Sequence, residues 1–242
     1  MNNIYIPPVV KNLLIINVLF FVATYVLESK GINLSEYLGA HYFDSPYFKI
    51  WQPITYMFMH GSIAHIFFNM FALYSFGSVL ESHWGGKRFI KFYLITGLGA
   101  LALQWGVQAF EVYQITGSVV NPGAVMFHDG EPYSTLSNLN PGQMQTLGGI
   151  YIGGIVGASG AIFGLLVAFG MLYPNAELML MFIPLPIKAK YVIPVDILAE
   201  LSLGVASIPG DSIAHYAHLG GALIGFILVK LWKDNTFYDY YE

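Results

Sequence analysis

Long apolar stretches, separated by polar segments rich in proline and glycine, dominate this chain of 242 residues. Their lengths suit helices that cross a membrane. Only 10% of the residues are charged and 56% are hydrophobic, whereas soluble domains average about 25% charged residues. We therefore predict an all-α membrane protein in which residues 1–242 form a single six-helix bundle. The predicted spans are 13–27, 62–80, 89–107, 149–173, 191–208 and 212–232.

Basic residues are distributed unequally between the two sides of this bundle. If the N-terminus is cytoplasmic, eight Lys and Arg residues lie inside and two lie outside. Cytoplasmic segments carry such an excess, so we predict that both termini are cytoplasmic. The long segments 28–61 and 109–148 would then lie outside. The inside residues are Lys11, Lys87, Arg88, Lys91, Lys188, Lys190, Lys230 and Lys233, and the outside residues are Lys30 and Lys49.

Charge and composition argue against several kinds of partner and chemistry. The net charge is −4 and no basic patch interleaved with aromatic residues is present, which argues against a nucleic-acid partner. The absence of cysteine removes disulfides, thiolate chemistry and cysteine-based metal sites. We expect no cofactor.

The fourth and sixth predicted helices carry small residues at every fourth position. On a helix these residues form one face, where a second backbone can approach closely. Ser159 lies beside one face and His218 beside the other, at similar depth, so packing of the faces would bring them together. The faces consist of Gly160, Gly164 and Ala168, and of Ala217, Gly221 and Gly225.

These side chains suit nucleophilic catalysis. A serine hydroxyl is a poor nucleophile until a base takes its proton, and histidine titrates near neutrality. The oxyanion of the attacked carbonyl needs hydrogen-bond donors. His65 and Asn69, spaced i,i+4 at the outer end of the second helix, and the Ser159 backbone N–H could supply them. Polar residues from three helices at one membrane level indicate a functional site.

Other interpretations fit parts of the pattern. Ser159 could be incidental to a packing seam, with the histidines and Asn69 in interhelical hydrogen bonds. Zinc ligation by His60, His65, His215 and His218 is possible in principle. It is disfavoured because no His-Glu-x-x-His motif and no nearby carboxylate occur in the sequence.

The fifth helix contains two acidic residues, Asp196 and Glu200, spaced i,i+4. We place Glu200 near mid-membrane, where an acid is typical of a proton or ion pathway. A small transporter or channel is therefore the main alternative function. Transporters often show internal repeats with matching broken helices, and this sequence shows none.

Three motifs together resemble the rhomboid intramembrane serine proteases. They are Gly157-Ala158-Ser159-Gly160, the pair His65 and Asn69 within residues 60–69, and Ala217-His218-x-x-Gly221-x-x-x-Gly225. The resemblance covers residues 48–232. It implies a six-helix fold, a Ser159–His218 dyad with no acidic third member, and an oxyanion site of His65, Asn69 and the Ser159 amide.

The resemblance extends to two further positions. Glu81 and Gly85 match the family's Glu-x-x-x-Gly at the inner end of the second helix. The family's best-known members have Trp-Arg in the first outer loop, where this chain has Trp51-Gln52. Because that arginine is thought to be structural, we expect the difference to affect loop stability more than activity.

The motif spacing selects His218 as the base over His215, which lies on a similar face. We expect His60 to pack in a loop and Phe163, one turn after Ser159, to stack against the His218 ring. Gly157, Gly160, Gly221 and Gly225 would support the site by permitting close approach.

We therefore predict an intramembrane serine endopeptidase in the cell (plasma or inner) membrane, with its active site open to the outside. Its partners would be the lipid bilayer and single-span membrane proteins, cut near their outer ends without metal. Helical backbone buries its carbonyls in its own hydrogen bonds, so the substrate helix must unwind. Small, helix-weakening residues make this easier. An inactive rhomboid-like protein that binds clients is a third possibility.

Water must reach Ser159, so we expect a water-filled cavity open to the outside. Phe68 could block lateral access from lipid. The fifth helix and the 205–214 loop, with Ser207, Pro209 and Gly210, are candidates for a moving lid.

Overall fold

A computed structural model describes residues 5–121, 126–128, 131–133, 136, 139–179, 186–206 and 214–232. The regular secondary structure in these parts of the chain is helical apart from two short antiparallel hairpins and one isolated β-bridge. The helices are α1 Pro8–Glu28, α2 Leu34–Leu38, α3 Gln52–Thr55, α4 Ile63–Ala72, α5 Ser78–Trp84, α6 Gly86–Thr116, α7 Pro141–Ile152, α8 Ser159–Leu172, α9 Ala189–Ala206 and α10 His215–Leu231.

Short irregular elements connect several helices. A 3₁₀ turn, Tyr56–Phe58, follows α3, and a π-helical turn, Leu73–Gly77, joins α4 to α5 in one continuous rod. The hairpins pair β1 Met126–His128 with β2 Glu131–Tyr133, and β3 Glu177–Met179 with β4 Pro186–Lys188.

Three described helices are long and apolar enough to cross a membrane: Pro8–Glu28, Ile63–Trp84 and Gly86–Thr116. They contain the first three predicted spans. Helices α8 and α10 are apolar but shorter. Helix α9 is less apolar, because it carries Lys190, Asp196 and Glu200. The protein is thus a helical membrane protein, whereas six crossings and cytoplasmic termini remain predictions.

The predicted fourth span, 149–173, is divided in the structure. Helix α7 ends at Ile152, an extended segment follows, and α8 begins at Ser159 itself. Glycines at 153, 154 and 157 favour the break, because glycine is a poor helix former. The extended segment is held by two backbone hydrogen bonds of 2.8 Å between Ile155 and Ala40.

The predicted loop 109–148 is partly helical. Helix α6 continues to Thr116 and ends at Gly117, whose φ of 78° is typical of a glycine C-cap. Helix α7 begins at Pro141 behind a capping box formed by Asn140 and Gln143. The tripeptide Asn140-Pro141-Gly142, whose composition is typical of turns, therefore marks a helix start.

Glu81 joins the start of α1 to the end of α5. Its buried carboxylate accepts hydrogen bonds from the Val9 N–H (2.9 Å) and the Val10 N–H (2.7 Å). These amides open α1 and have no partner within that helix, and the helix dipole favours a negative charge there. Gly85 follows with a φ of 76° and ends α5. The Glu-x-x-x-Gly motif thus caps one helix and terminates another.

Gln52 organises the loop before α4. It is fully buried, and its Oε1 accepts hydrogen bonds from the N–H groups of His41 (3.3 Å) and Lys49 (3.0 Å). Its Nε2 donates to the Tyr47 carbonyl at 2.9 Å and lies 3.2 Å from His41 Nδ1. Burial lowers the pKa of His41, so its ring can accept this bond at neutral pH. In this chain, therefore, a neutral glutamine makes a buried network at the position of the family's arginine.

Further hydrogen bonds connect the same loop to the helices beneath it. Trp105 Nε1 donates to the His41 carbonyl at 3.0 Å, and Ser45 Oγ donates to the Tyr151 carbonyl. Tyr151 Oη in turn donates to Asp44 at 3.0 Å. The loop is thereby fixed to α6 and α7, next to the extended segment that leads to Ser159.

Gln52→Leu should destabilise the protein by at least about 2 kcal/mol, because it leaves several buried donors and acceptors without partners. Thermal unfolding in detergent and limited proteolysis within residues 34–58 would measure the effect. Gln114→Leu, at an exposed position on α6, is the matched control. Equal melting temperatures for the two variants would contradict this account of the loop.

Candidate active site

Ser159 and His218 are in direct contact. Ser159 Oγ lies 2.8 Å from His218 Nε2, although 59 positions separate the residues in sequence. Ser159 is the first residue of α8 and His218 lies in the first turn of α10. The structure therefore joins the two residues in the geometry that a nucleophile and its base require.

Glycines produce this contact by letting α8 and α10 approach closely. A Cβ on Gly221 would overlap the Gly160 carbonyl oxygen, and a Cβ on Gly225 would lie 2.7 Å from the Gly164 oxygen. Gly160 also contacts α6, because a Cβ added to Gly160 would lie only 2.5 Å from the Ala100 side chain. The predicted packing of the small-residue faces is confirmed.

Gly157 shapes the space beside the nucleophile. Its φ of 132° lies in a region that L side chains rarely adopt, and its N–H donates to the Tyr56 carbonyl at 3.0 Å. A Cβ here would lie 2.8 Å from His65 Nε2 and 3.4 Å from Ser159 Oγ. The point that Gly157 leaves free is thus within reach of both side chains, where a substrate carbonyl could sit.

Three groups from the sequence analysis are candidate donors for an oxyanion here: the Ser159 N–H, His65 and Asn69. The first backbone N–H groups of α8, beginning with Ser159, have no acceptor within the helix, and the helix dipole favours negative charge there. His65 is held at the start of α4 by Ser62, whose hydroxyl accepts the His65 N–H at 3.1 Å. Asn69 is buried, and its Nδ2 has no hydrogen-bond partner in the described parts of the chain.

Phe163 stacks on the His218 ring as predicted. The ring centroids are 4.4 Å apart and the planes differ by 8°. This contact fixes the plane of the imidazole while leaving both nitrogens available.

His218 has a second neighbour that the sequence did not reveal. Glu200 Oε2, on α9, lies 2.9 Å from His218 Nδ1 and 2.6 Å from His215 Nδ1. The dyad that the resemblance implies thus has a carboxylate beside it. The sequence suggests Glu200 only for the alternative function, an ion pathway, and does not connect it with His218. The sequence feature that could have indicated this contact is the i,i+3 spacing of His215 and His218, which places two imidazoles on one face of α10, opposite the acid.

Glu200, His215 and His218 are also the described residues whose donor atoms cluster closely enough to suggest a metal site. Two ligands of one tetrahedral zinc ion lie about 3.3 Å apart. Here the carboxylate oxygen is only 2.6 Å from His215 Nδ1, which is a direct hydrogen bond. The alternative zinc set of His60, His65, His215 and His218 is not a cluster in the described parts of the chain, where His60 and His65 contact each other at a ring-centroid distance of 4.9 Å.

His60 is buried at the end of the loop. Burial, with a smaller contribution from His65, lowers its pKa to about 3. It is therefore neutral at physiological pH and cannot exchange protons there, in keeping with a packing role.

The structure describes only part of the predicted gate. Phe68 is half-exposed and its ring contacts Phe67 at 5.5 Å. Ser207, Pro209 and Gly210 lie outside the described residues. Helix α9, the other lid element, exposes Val195 and Leu198.

A serine–histidine pair thus meets at the start of two apolar helices. The rhomboid domain family matches residues 47–233, and the chain belongs to the rhomboid family.

The chain is similar to rhomboid proteins of several organisms. The chain is 30% identical to rhomboid-like protein 11, chloroplastic, of Arabidopsis thaliana, over 83% of its own length and 62% of the relative. It is 27% identical to an uncharacterized mitochondrial rhomboid protein of Schizosaccharomyces pombe, over 78% and 53%. It is 26% identical to the rhomboid protease AarA of Providencia stuartii, over 84% and 63%. The chain thus spans between half and two thirds of these relatives.

Gly157→Ala should slow labelling of Ser159 by a fluorophosphonate probe by at least about 100-fold, as loss of an oxyanion donor does. The added methyl group would occupy the space between His65 and Ser159. The labelling rate in detergent is the measurement. Gly148→Ala, which meets no atom within 4 Å, should label at the wild-type rate. Wild-type labelling of Gly157→Ala would show that the substrate carbonyl does not use this space.

Proposed function

We propose that this protein is an intramembrane serine endopeptidase in which Ser159 is the nucleophile and His218 the general base. The observation that carries the proposal is the 2.8 Å contact between Ser159 Oγ and His218 Nε2, at the start of two apolar helices. Membership of a family that includes a protease supports it.

The chemistry follows from the positions of the atoms. A peptide carbonyl in the space beside Gly157 is attacked by Ser159 Oγ while His218 Nε2 takes the hydroxyl proton. The Ser159 N–H, His65 and Asn69 stabilise the oxyanion. His218 then gives its proton to the leaving amine, and an acyl-enzyme remains. His218 next takes a proton from water, and the resulting attack releases the acid and restores Ser159.

Substrate and setting follow from the membrane fold. We expect single-span membrane proteins, cut near their outer ends at residues that weaken a helix. The proposed bundle has six crossings and cytoplasmic termini, with the site open to the outside of the cell membrane. No metal or cofactor takes part in these steps, and we expect no nucleic-acid partner.

The two alternative functions account less well for the contacts within the site. A transporter would use this acid as an isolated proton or ion carrier, yet its carboxylate contacts His215 and His218. An inactive client-binding protein would not require Ser159 and His218 to meet at hydrogen-bond distance.

Ser159→Ala should lower cleavage of a reconstituted membrane substrate by at least about 1,000-fold, because the variant lacks the hydroxyl that His218 activates. His218→Ala should do the same, whereas His215→Ala should keep a measurable share. A gel assay of the purified protein, with and without chelator, is the measurement. Unchanged melting of Ser159→Ala would exclude misfolding. Substantial cleavage by this variant would refute the serine mechanism, and loss only with chelator would favour a metal.

Phe68→Ala should raise cleavage of membrane substrates more than that of soluble ones, if substrate passes between α4 and α9. Phe67→Ala, at a neighbouring exposed ring, is the control. Because the chain lacks cysteine, a disulfide between the outer ends of α4 and α9 can be introduced on a clean background. It should slow membrane-substrate cleavage until reductant is added. A verified crosslink with no effect would mean that substrate takes another route.

A further inference from the structure

We infer that Glu200 is an acidic positioning residue for His218, so that the site works as a Ser–His–Glu triad. The inference rests on the proposed function and adds a residue that the resemblance does not include. The dyad that the resemblance implies has no acid, whereas here a carboxylate lies against the far nitrogen of the base.

The three groups lie in sequence along one line of contacts. Ser159 Oγ is 2.8 Å from His218 Nε2, and His218 Nδ1 is 2.9 Å from Glu200 Oε2. To accept the serine proton, Nε2 must be unprotonated, so the hydrogen of the neutral ring must sit on Nδ1. A carboxylate beside Nδ1 selects this tautomer. In the resting geometry the Nδ1–H is not aligned with the oxygen as a hydrogen bond, so the contact is primarily one of charge.

The carboxylate also lowers the energy of the charge that catalysis creates. His218 becomes an imidazolium when it takes the serine proton, and a negative group 2.9 Å away stabilises that cation. The Glu200 side chain is only 14% exposed and that of His218 only 11%. Water therefore screens the attraction less than it would at a surface. Glu200 keeps its charge throughout and exchanges no proton with the substrate.

Neighbouring side chains hold the acid and the base in place. His215 Nδ1 donates to Glu200 Oε2 at 2.6 Å, which fixes the carboxylate. Phe163 stacks on His218 and restricts rotation of its ring. Tyr216 Oη donates to the Gly204 carbonyl at 3.0 Å, one turn after Glu200, and ties α9 to α10. The carboxylate therefore reaches His218 only while α9 is packed against α10.

The test compares kinetic constants of Glu200→Gln, Glu200→Asp and Asp196→Asn with the full-length wild-type protein in proteoliposomes. Glu200→Gln removes the charge and keeps the shape, so kcat should fall at least about 50-fold. KM should change less than about threefold, because Glu200 acts on the base and not on substrate binding. Glu200→Asp, which restores the charge, should recover at least about tenfold of that loss. Asp196→Asn, one turn earlier on α9, should retain the wild-type kcat.

Each outcome separates the triad from the proposed function. If Ser159→Ala is inactive while Glu200→Gln keeps the wild-type kcat, the triad is wrong and the protease proposal stands. If Ser159→Ala still cleaves, the protease proposal itself fails. A Glu200→Asp variant no better than Glu200→Gln, or an Asp196→Asn variant equally impaired, would overturn the positioning role. Rates are taken per mole of monodisperse protein, so that a loss of folded yield does not count as a loss of kcat.

Discussion

The close approach of α8 and α10 is the constraint on which the site depends. Lipid tails are as apolar as the side chains they would meet, so helices in a membrane associate through tight packing. Gly221 against the Gly160 carbonyl and Gly225 against that of Gly164 bring the two backbones into contact. Ser159 and His218 lie in the first turns of these two helices. Any side chain larger than hydrogen at Gly221 would collide with the Gly160 carbonyl and push the two helices apart.

A second constraint comes from the loop that precedes α4. The loop held by Gln52 pairs Ala40 with Ile155 and thereby fixes the extended segment that precedes Ser159. This segment carries Gly157 in a backbone conformation that leaves room between His65 and Ser159. The helix seam thus sets the distance between nucleophile and base, and the loop sets the space for the carbonyl. A network of neutral hydrogen bonds can hold such a loop because both the oxygen and the nitrogen of the buried Gln52 amide are paired.

Much of the packing between α8 and α10 could be predicted from the sequence, whereas little of the loop's arrangement could. Small residues at every fourth position predicted which helix faces meet, and Phe163, one turn from Ser159, was correctly expected beside His218. The break before Ser159 was not predicted, because hydropathy stays high across the glycines and periodicity cannot show a backbone bridge to Ala40. Glu200 was noticed for its cost in a membrane. Its contacts with His215 and His218 could not be predicted from the sequence, because hydropathy does not define how α9 packs against α10.

Helix α9 carries the acid and packs loosely against its neighbours. Within α9 only Ala189, Ile193 and Gly204 are buried, while Val195 and Val205 are more than 60% exposed. An element with so few buried contacts separates from its neighbours more readily than α8 or α10. In the proposed mechanism, therefore, the nucleophile and base lie on two closely packed helices, and the carboxylate lies on a helix with few buried contacts. If α9 swings out to admit a substrate, His218 loses the charge that favours its imidazolium, and the full site forms again only when α9 returns.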